Sequence, residues 1–381
     1  MLHRSLIRLL LARASVNHNN GEVFIFAVRN FEPAAFCLLL VQSVSYKALF
    51  TTIMEALRAP WEKRSIVFGL MMKLLGADHL NASLKYVVLE ERTDLELVEM
   101  LLGAGADALL EGGVCIKNAA SKLDLELLQI LAKYSGKDEL VFAQALSGIV
   151  TQSKQWIAHG HIELVQLLLH YGASGQVIDE AMLEVVNHLA CQDDQRHLRS
   201  ILLNILFAAK ADVNYQQGKA IAVAASKGDA SLLSHLLSHN TTLATTFNAM
   251  SSAIMARHEE NHLVELLSAF ANRRASRTEI RSSVPRTLDP VMLCLKSYPG
   301  SARLVGALVR AGCNLDATVP MHVSSERLGK DGRRISPKPE PVSILMWALL
   351  ETESAISPDV LRALIRHGGK IASLSCVGNN C

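Results

Sequence analysis

The chain has 381 residues, with 38 Lys or Arg against 36 Asp or Glu, 50% apolar and 5% aromatic residues. The apolar content excludes a disordered chain, and a net charge of +2 gives no general polyanion-binding signature. Abundant Leu and Ala favour helices over strands, and the length suffices for two or three compact domains or one long array.

The first segment carries Arg4, Arg8 and Arg13 with no acid before Glu22, as a mitochondrial presequence would. Leu6 to Leu11 nevertheless match the second helix of a repeat that recurs along the chain, and that reading takes precedence. The most apolar stretch, Pro33 to Val41, is far shorter than the ~20 residues a membrane-spanning helix needs. The segment Leu97-Val98-Glu99-Met100-Leu101-Leu102 followed by Gly103-Ala104-Gly105-Ala106-Asp107 then reappears from Leu164 to Ala173. Further copies begin at Leu127, Leu202, Leu232, Leu263, Leu304 and Val360, and weaker ones lie near Leu6, Ala35 and Val67.

A second anchor fixes the register. Gly113 and Ala119 to Lys122 recur 105 residues later as Gly218 and Ala224 to Lys227. Each clear unit reads as a turn ending in Gly, a short Ala-rich helix, a break such as Gly228-Asp229, and a Leu-rich helix. A helix pair this short cannot bury its own apolar face, so the pairs are expected to stack into a continuous core.

This pattern resembles the ankyrin repeat family, most closely from Leu202 to Asn214, and in particular the degenerate arrays of large fungal proteins. The family's usual T-P-L-H opening is replaced by forms such as Gly218-Lys219-Ala220-Ile221. The resemblance implies an all-α, curved ankyrin-like solenoid of about ten or eleven degenerate helix pairs with irregular insertions. It also implies a concave face of short inner helices and hairpin tips, a convex back of outer helices, and a non-catalytic protein-binding role. The expected organisation is an array over residues 1–272, a basic insertion over 273–286, and further repeats over 287–381 with a second basic insertion at about 321–341. The chain opens inside an apparent second helix, so a larger parent polypeptide is expected.

Candidate partner-binding residues follow from the expected groove. Asn214, Tyr215 and Gln217 lie at a hairpin tip, Arg29, Asn30, Lys122 and Lys227 at first-helix ends, and Trp156 is a possible aromatic anchor. Residues 271–340 hold 13 Lys or Arg against six Asp or Glu. Within them, Arg273, Arg274, Arg277, Arg281, Arg333 and Arg334 form a basic patch suited to an acidic protein segment or, as an alternative, a nucleic-acid backbone. Ser276 and Ser336 follow arginine pairs that a basophilic kinase would read. Another alternative is an intramolecular, autoinhibitory contact within the larger protein.

Catalytic motifs are weak by comparison. His258-Glu259-Glu260-Asn261-His262 satisfies H-E-x-x-H and would suit a zinc hydrolase, but the repeat register puts Glu259 and Glu260 at an inter-helix break. His159, His161 and His170 read as solvated turn residues, and no phosphate-binding glycine motif is present. No catalytic, metal or cofactor site is assigned. Seven dispersed cysteines without a C-x-x-C pair fit a reducing, intracellular setting, cytoplasmic or nuclear.

Overall fold

The computed structural model describes residues 15–152, 157, 161–189, 196–272, 289–315, 318–321, 327–328, 334–335, 340–350 and 356–369. The chain divides into two compact units, residues 1–181 and 182–381, which are described separately.

In the first unit, the inner helices are α1 (Glu22–Arg29), α3 (Tyr46–Leu57), α5 (Ala77–Leu89), α7 (Leu110–Ser121) and α9 (Glu139–Gln152). They alternate with outer helices α2 (Pro33–Leu39), α4 (Trp61–Met71), α6 (Leu95–Gly103), α8 (Leu125–Ser135) and α10 (Ile162–His170). Each inner helix packs on its outer partner and on the next inner helix, while α4, α6, α8 and α10 stack in a second row. The result is a two-layered series of helix pairs. Its seam is the recurring leucine motif, with Leu97, Val98, Leu101 and Leu102 of α6 and Leu127, Leu128 and Leu131 of α8 all buried. The helix α11 (Gln176–Leu189) contains the boundary between the units.

The second unit begins its described helices with α12 (Arg196–Ala208). It then alternates inner helices α13 (Tyr215–Lys227), α15 (Leu243–Met255) and α17 (Pro290–Ser297) with outer helices α14 (Ala230–Leu237), α16 (Glu260–Ala271) and α18 (Ala302–Arg310). Inner helix α19 (Ile344–Leu350) and outer helix α20 (Pro358–Arg366) complete it, and the same two rows of packing recur. The expected all-α class holds across the described helices, and the second unit adds two short antiparallel strand pairs. β1 (Thr318–Met321) pairs with β4 (Glu340–Ser343), and β2 (Arg327–Leu328) pairs with β3 (Arg334–Ile335). Among the described residues, no helix is long and apolar enough to cross a membrane.

Three local devices hold successive pairs in register. The first caps the outer helices. Asp94, Asp124 and Asp229 accept from the backbone N–H of Leu97, Leu127 and Leu232 at 3.1, 3.0 and 2.8 Å. Ser301 does the same for Leu304 at 3.3 Å. Each cap satisfies an amide that the helix leaves unpaired, worth about 1 kcal/mol.

The second device is a left-handed turn at the opening of an inner helix or just before it. Asn19, Asn20 and Gly21 have φ of 43°, 57° and 87°, Glu111, Gly112 and Gly113 have 52°, 68° and 72°, and Gln216, Gln217 and Gly218 have 48°, 60° and 76°. Non-glycine residues are disfavoured there, so these turns persist only under tertiary constraint. The closing glycine also lets the next inner helix approach. A Cβ on Gly113 would lie 2.2 Å from Val141 Cγ1, and one on Gly218 would lie 2.0 Å from Thr245 Cγ2.

The third is an asparagine clamp. Asn17 Nδ2 donates to the Ser43 carbonyl at 3.0 Å, and its Oδ1 accepts from Ser45 N–H at 2.7 Å. Asn214 repeats both bonds to the Asn240 carbonyl (2.9 Å) and Thr242 N–H (2.8 Å). Asn81 Oδ1 accepts from Asp107 N–H at 2.7 Å.

Candidate functional site

Helix α3 starts at Ser45, whose side chain accepts from Ala48 N–H, and it buries Ala48, Leu49, Thr52, Ile53, Ala56 and Leu57. Helical periodicity turns Tyr46, Phe50 and Met54 away from that face. Helix α5 buries His79, Leu80, Ser83, Leu84, Val87 and Val88, leaving Asp78, Ala82, Lys85, Tyr86 and Leu89 on its other side. Phe50 and Met54 of the first stripe and the whole of the second, with Asn81 on α5 and Leu110 and Glu111 at the opening of α7, line a groove of about 460 Å³ across three inner helices.

The groove combines apolar walls with a charged end. Phe50 is 38% exposed and Leu89 is 45% exposed, so neither is satisfied by the core. The small side chain of Ala82 keeps the middle of α5 low between its neighbours. Lys85 pairs with Glu111 across to α7 at 2.5 Å, and Asp78 lies in the first turn of α5, where its charge favours the helix end. Tyr46 lies against the buried His79 ring at 4.3 Å between centroids and stacks beside Phe50 at 6.5 Å. Among the described residues, neither ring nitrogen of His79 has a hydrogen-bond partner.

The residues singled out from sequence are mostly engaged within the stack. Arg29 Nε donates to Glu55 Oε1 at 2.7 Å, and this hydrogen bond holds the Glu55 carboxyl below the usual carboxylate range. Asn30 caps α1 by donating to the Phe26 carbonyl at 2.8 Å. Lys122 Nζ reaches the carbonyls of Val88 (3.0 Å) and Glu90 (2.5 Å), and Lys227 Nζ reaches that of Asn187 (2.8 Å). Each ammonium thereby satisfies carbonyls at or near the end of an earlier helix.

Asn214 is the clamp described above. Tyr215 Oη accepts from Gln216 Nε2 at 3.1 Å, and the Gln217 carbonyl accepts from Asn248 Nδ2 at 3.4 Å. Of this group, the Gln217 side chain and part of Tyr215 face solvent. Trp156, Arg273, Arg274, Arg277, Arg281, Arg333, Ser276, Ser336 and His159 lie outside the described residues, as does the side chain of Arg334.

The H-E-x-x-H segment straddles two elements. His258 precedes α16, Glu259 is its N-cap position, and His262 lies in its first turn. His262 Nε2 is 2.9 Å from the Gly228 carbonyl, and His258 Nε2 is 3.2 Å from that of Ala225. A carbonyl only accepts, so both rings carry hydrogen at Nε2 and tie α16 to the preceding pair. A Cβ on Gly228 would meet His262 at 2.6 Å, which explains the glycine at this left-handed break. Among the described residues, no three His, Cys, Asp or Glu converge as a metal site. Burial pushes the thiols of Cys115 and Cys294 up to about 11 and about 12, and that of Cys313 up as well. As thiols rather than thiolates, they are poor nucleophiles.

The groove residues Phe50, Met54, Ala82, Tyr86 and Leu89 were not singled out by sequence reasoning. The available signal was the four-residue spacing of Tyr46, Phe50 and Met54 opposite an already complete buried stripe. No protein-family model, curated protein or solved structure matches the chain.

Proposed function

We propose that this chain is a non-catalytic protein-interaction scaffold, ankyrin-like in its repeat construction, whose recognition surface is the outward side of its inner helices. The observation that carries the reading is the groove between α3, α5 and α7, where Phe50 and Leu89 stay solvent-accessible although neighbouring positions on the same helices are buried. Scattered apolar residues are ordinary on a protein surface, but a concave cluster with a few charges at one end is the usual form of a binding site. The scaffold meaning of the repeats comes from the leucine-rich copies and from the closeness of Leu202 to Asn214 to the ankyrin pattern.

A photoreactive side chain placed at Ala82 in cells of the source organism tests this directly, with exposed Gln166 on the outer helix α10 as the control position. A discrete protein adduct is expected from Ala82, absent from Gln166 and lost when Phe50→Ser removes one groove wall. Equal adducts from both positions, or an Ala82 adduct indifferent to Phe50→Ser, would refute the assignment.

A further inference from the structure

The groove reading leaves open what kind of segment fits, and its charges narrow the choice. Three charged side chains line it, the carboxylates of Asp78 and Glu111 and the ammonium of Lys85. Lys85 is already held by Glu111. Asp78 is exposed and makes no ion pair among the described residues, so one carboxylate stands uncompensated beside the apolar walls. The surroundings have the same sign, since residues 15–181 carry 13 Lys or Arg against 19 Asp or Glu. A cationic segment is therefore drawn toward this face and an acidic one is repelled.

The position of the charge adds direction. Asp78 and Leu110 belong to the first turns of α5 and α7, whereas Leu89 ends α5 and Met54 lies in the last turn of α3. Inner helices run the same way. Arg29 at the end of α1 pairs with Glu55 near the end of α3, and Asn81 early in α5 bonds Asp107 just before α7. The groove thus has an acidic end and an apolar end, separated by most of the length of α5. Its 13 residues span about 20 Å at the usual helical rise.

We infer that the groove takes an apolar peptide segment of a partner protein that carries a Lys or Arg toward one end, the basic group meeting Asp78 and the apolar side chains seated over Ala82 against Phe50 and Leu89. This rests on the scaffold reading and specifies its ligand class. The chain's own basic stretch, residues 273–286, is a poorer occupant, because Ile280 and Val284 are its only large apolar side chains.

The probe is a displayed library of random 12-residue peptides, selected on the whole chain and counter-selected on Ala82→Trp, which fills the groove floor. Circular dichroism and urea unfolding establish that each variant keeps its fold. Enriched peptides are expected to pair two or more large apolar residues with a Lys or Arg. Asp78→Asn should weaken the best of them about three- to tenfold, and Asp78→Lys should weaken it further and select acidic peptides instead.

Recovery of neutral or acidic peptides on the native chain, or indifference to Asp78→Asn with binding still lost in Ala82→Trp, overturns the basic-ligand inference while leaving the groove reading in place. Peptide recovery unchanged by Ala82→Trp overturns the groove reading itself. Displacement of the selected peptides by a synthetic 273–286 peptide, or self-association of the chain abolished by Ala82→Trp, overturns the inference in favour of a self-occupant.

Discussion

The two units use the same devices to hold their helix pairs and differ in what they turn outward. Gly113 and Gly218 close equivalent left-handed turns, Lys122 and Lys227 reach back to carbonyls at or near the end of an earlier helix, and Asn17 and Asn214 clamp the next helix pair with the same two bonds. Yet α3 and α5 line a groove with Phe50, Met54, Tyr86 and Leu89, whereas the half-buried positions of α13 and α15 mix the small Ala222, Val223, Ala244 and Ser252 with Tyr215, Leu243 and Phe247. Over the middle of α13, where Ala222 and Val223 are the half-buried positions, little relief is left for a ligand to grip. Stacking and recognition are therefore encoded by separate positions of one repeat, and one can change without the other.

The sharpest way to break the comparison is to attack the shared turn. Gly113→Ala and Gly218→Ala each place a methyl into a β-branched neighbour while forcing an L-residue to positive φ. Urea unfolding should show a loss of about 2–4 kcal/mol for either substitution. A much smaller loss in one would mean that Val141 or Thr245 can move aside, and that the two turns are not equivalent. The clamp should give a lesser effect. Asn17→Ala and Asn214→Ala each remove two inter-pair hydrogen bonds at an exposed site, at about 1–2 kcal/mol each in the same measurement. Matching values would confirm a common device, and a loss at only one would confine it to one unit.

The smallest expected effect belongs to the second unit alone. Burial, and secondarily His235, lowers the pKa of His239 from its ordinary 6.5, while the Phe207 ring stacks on it at 3.6 Å. The unfolded chain then takes up the proton first. His239 thus contributes stability that is present above about pH 6.5 and lost as pH falls from there through the lower folded value. The urea midpoint should drop between pH 7.5 and 5.5, and it should drop less in His239→Gln. An equal drop in the variant would assign the pH dependence elsewhere.

The outer helices were legible because their buried positions recur as letters. Leu202, Leu203 and Leu206, then Leu232, Leu233 and Leu236, then Leu304, Val305 and Leu308 are all core residues. Only the closing glycine of the left-handed turns was legible, since Asn19-Asn20, Glu111-Gly112 and Gln216-Gln217 share a backbone shape but no side-chain chemistry. The candidate site suffered for a related reason. Polar residues at tips and helix ends were taken as available to partners, but Asn214, Lys122 and Lys227 spend their hydrogen bonds on neighbouring pairs. The groove itself needs three helices brought side by side. No single stretch of sequence contains Phe50, Ala82 and Leu110 together, and β1 with β4 likewise joins residues from opposite ends of an insertion.

The asparagine clamp also acts as a ruler. Asn17 and Asn214 each reach the carbonyl 26 residues ahead and the amide 28 ahead, so one helix pair and its connections must fill a fixed length. Adding or deleting a single residue inside that interval would throw both bonds off their targets, whereas the long additions at 273–286 and 321–341 fall outside both measured intervals. Growth of such a chain is thereby steered into the gaps between gauged pairs, where new length can be tried without disturbing the spacing of the old.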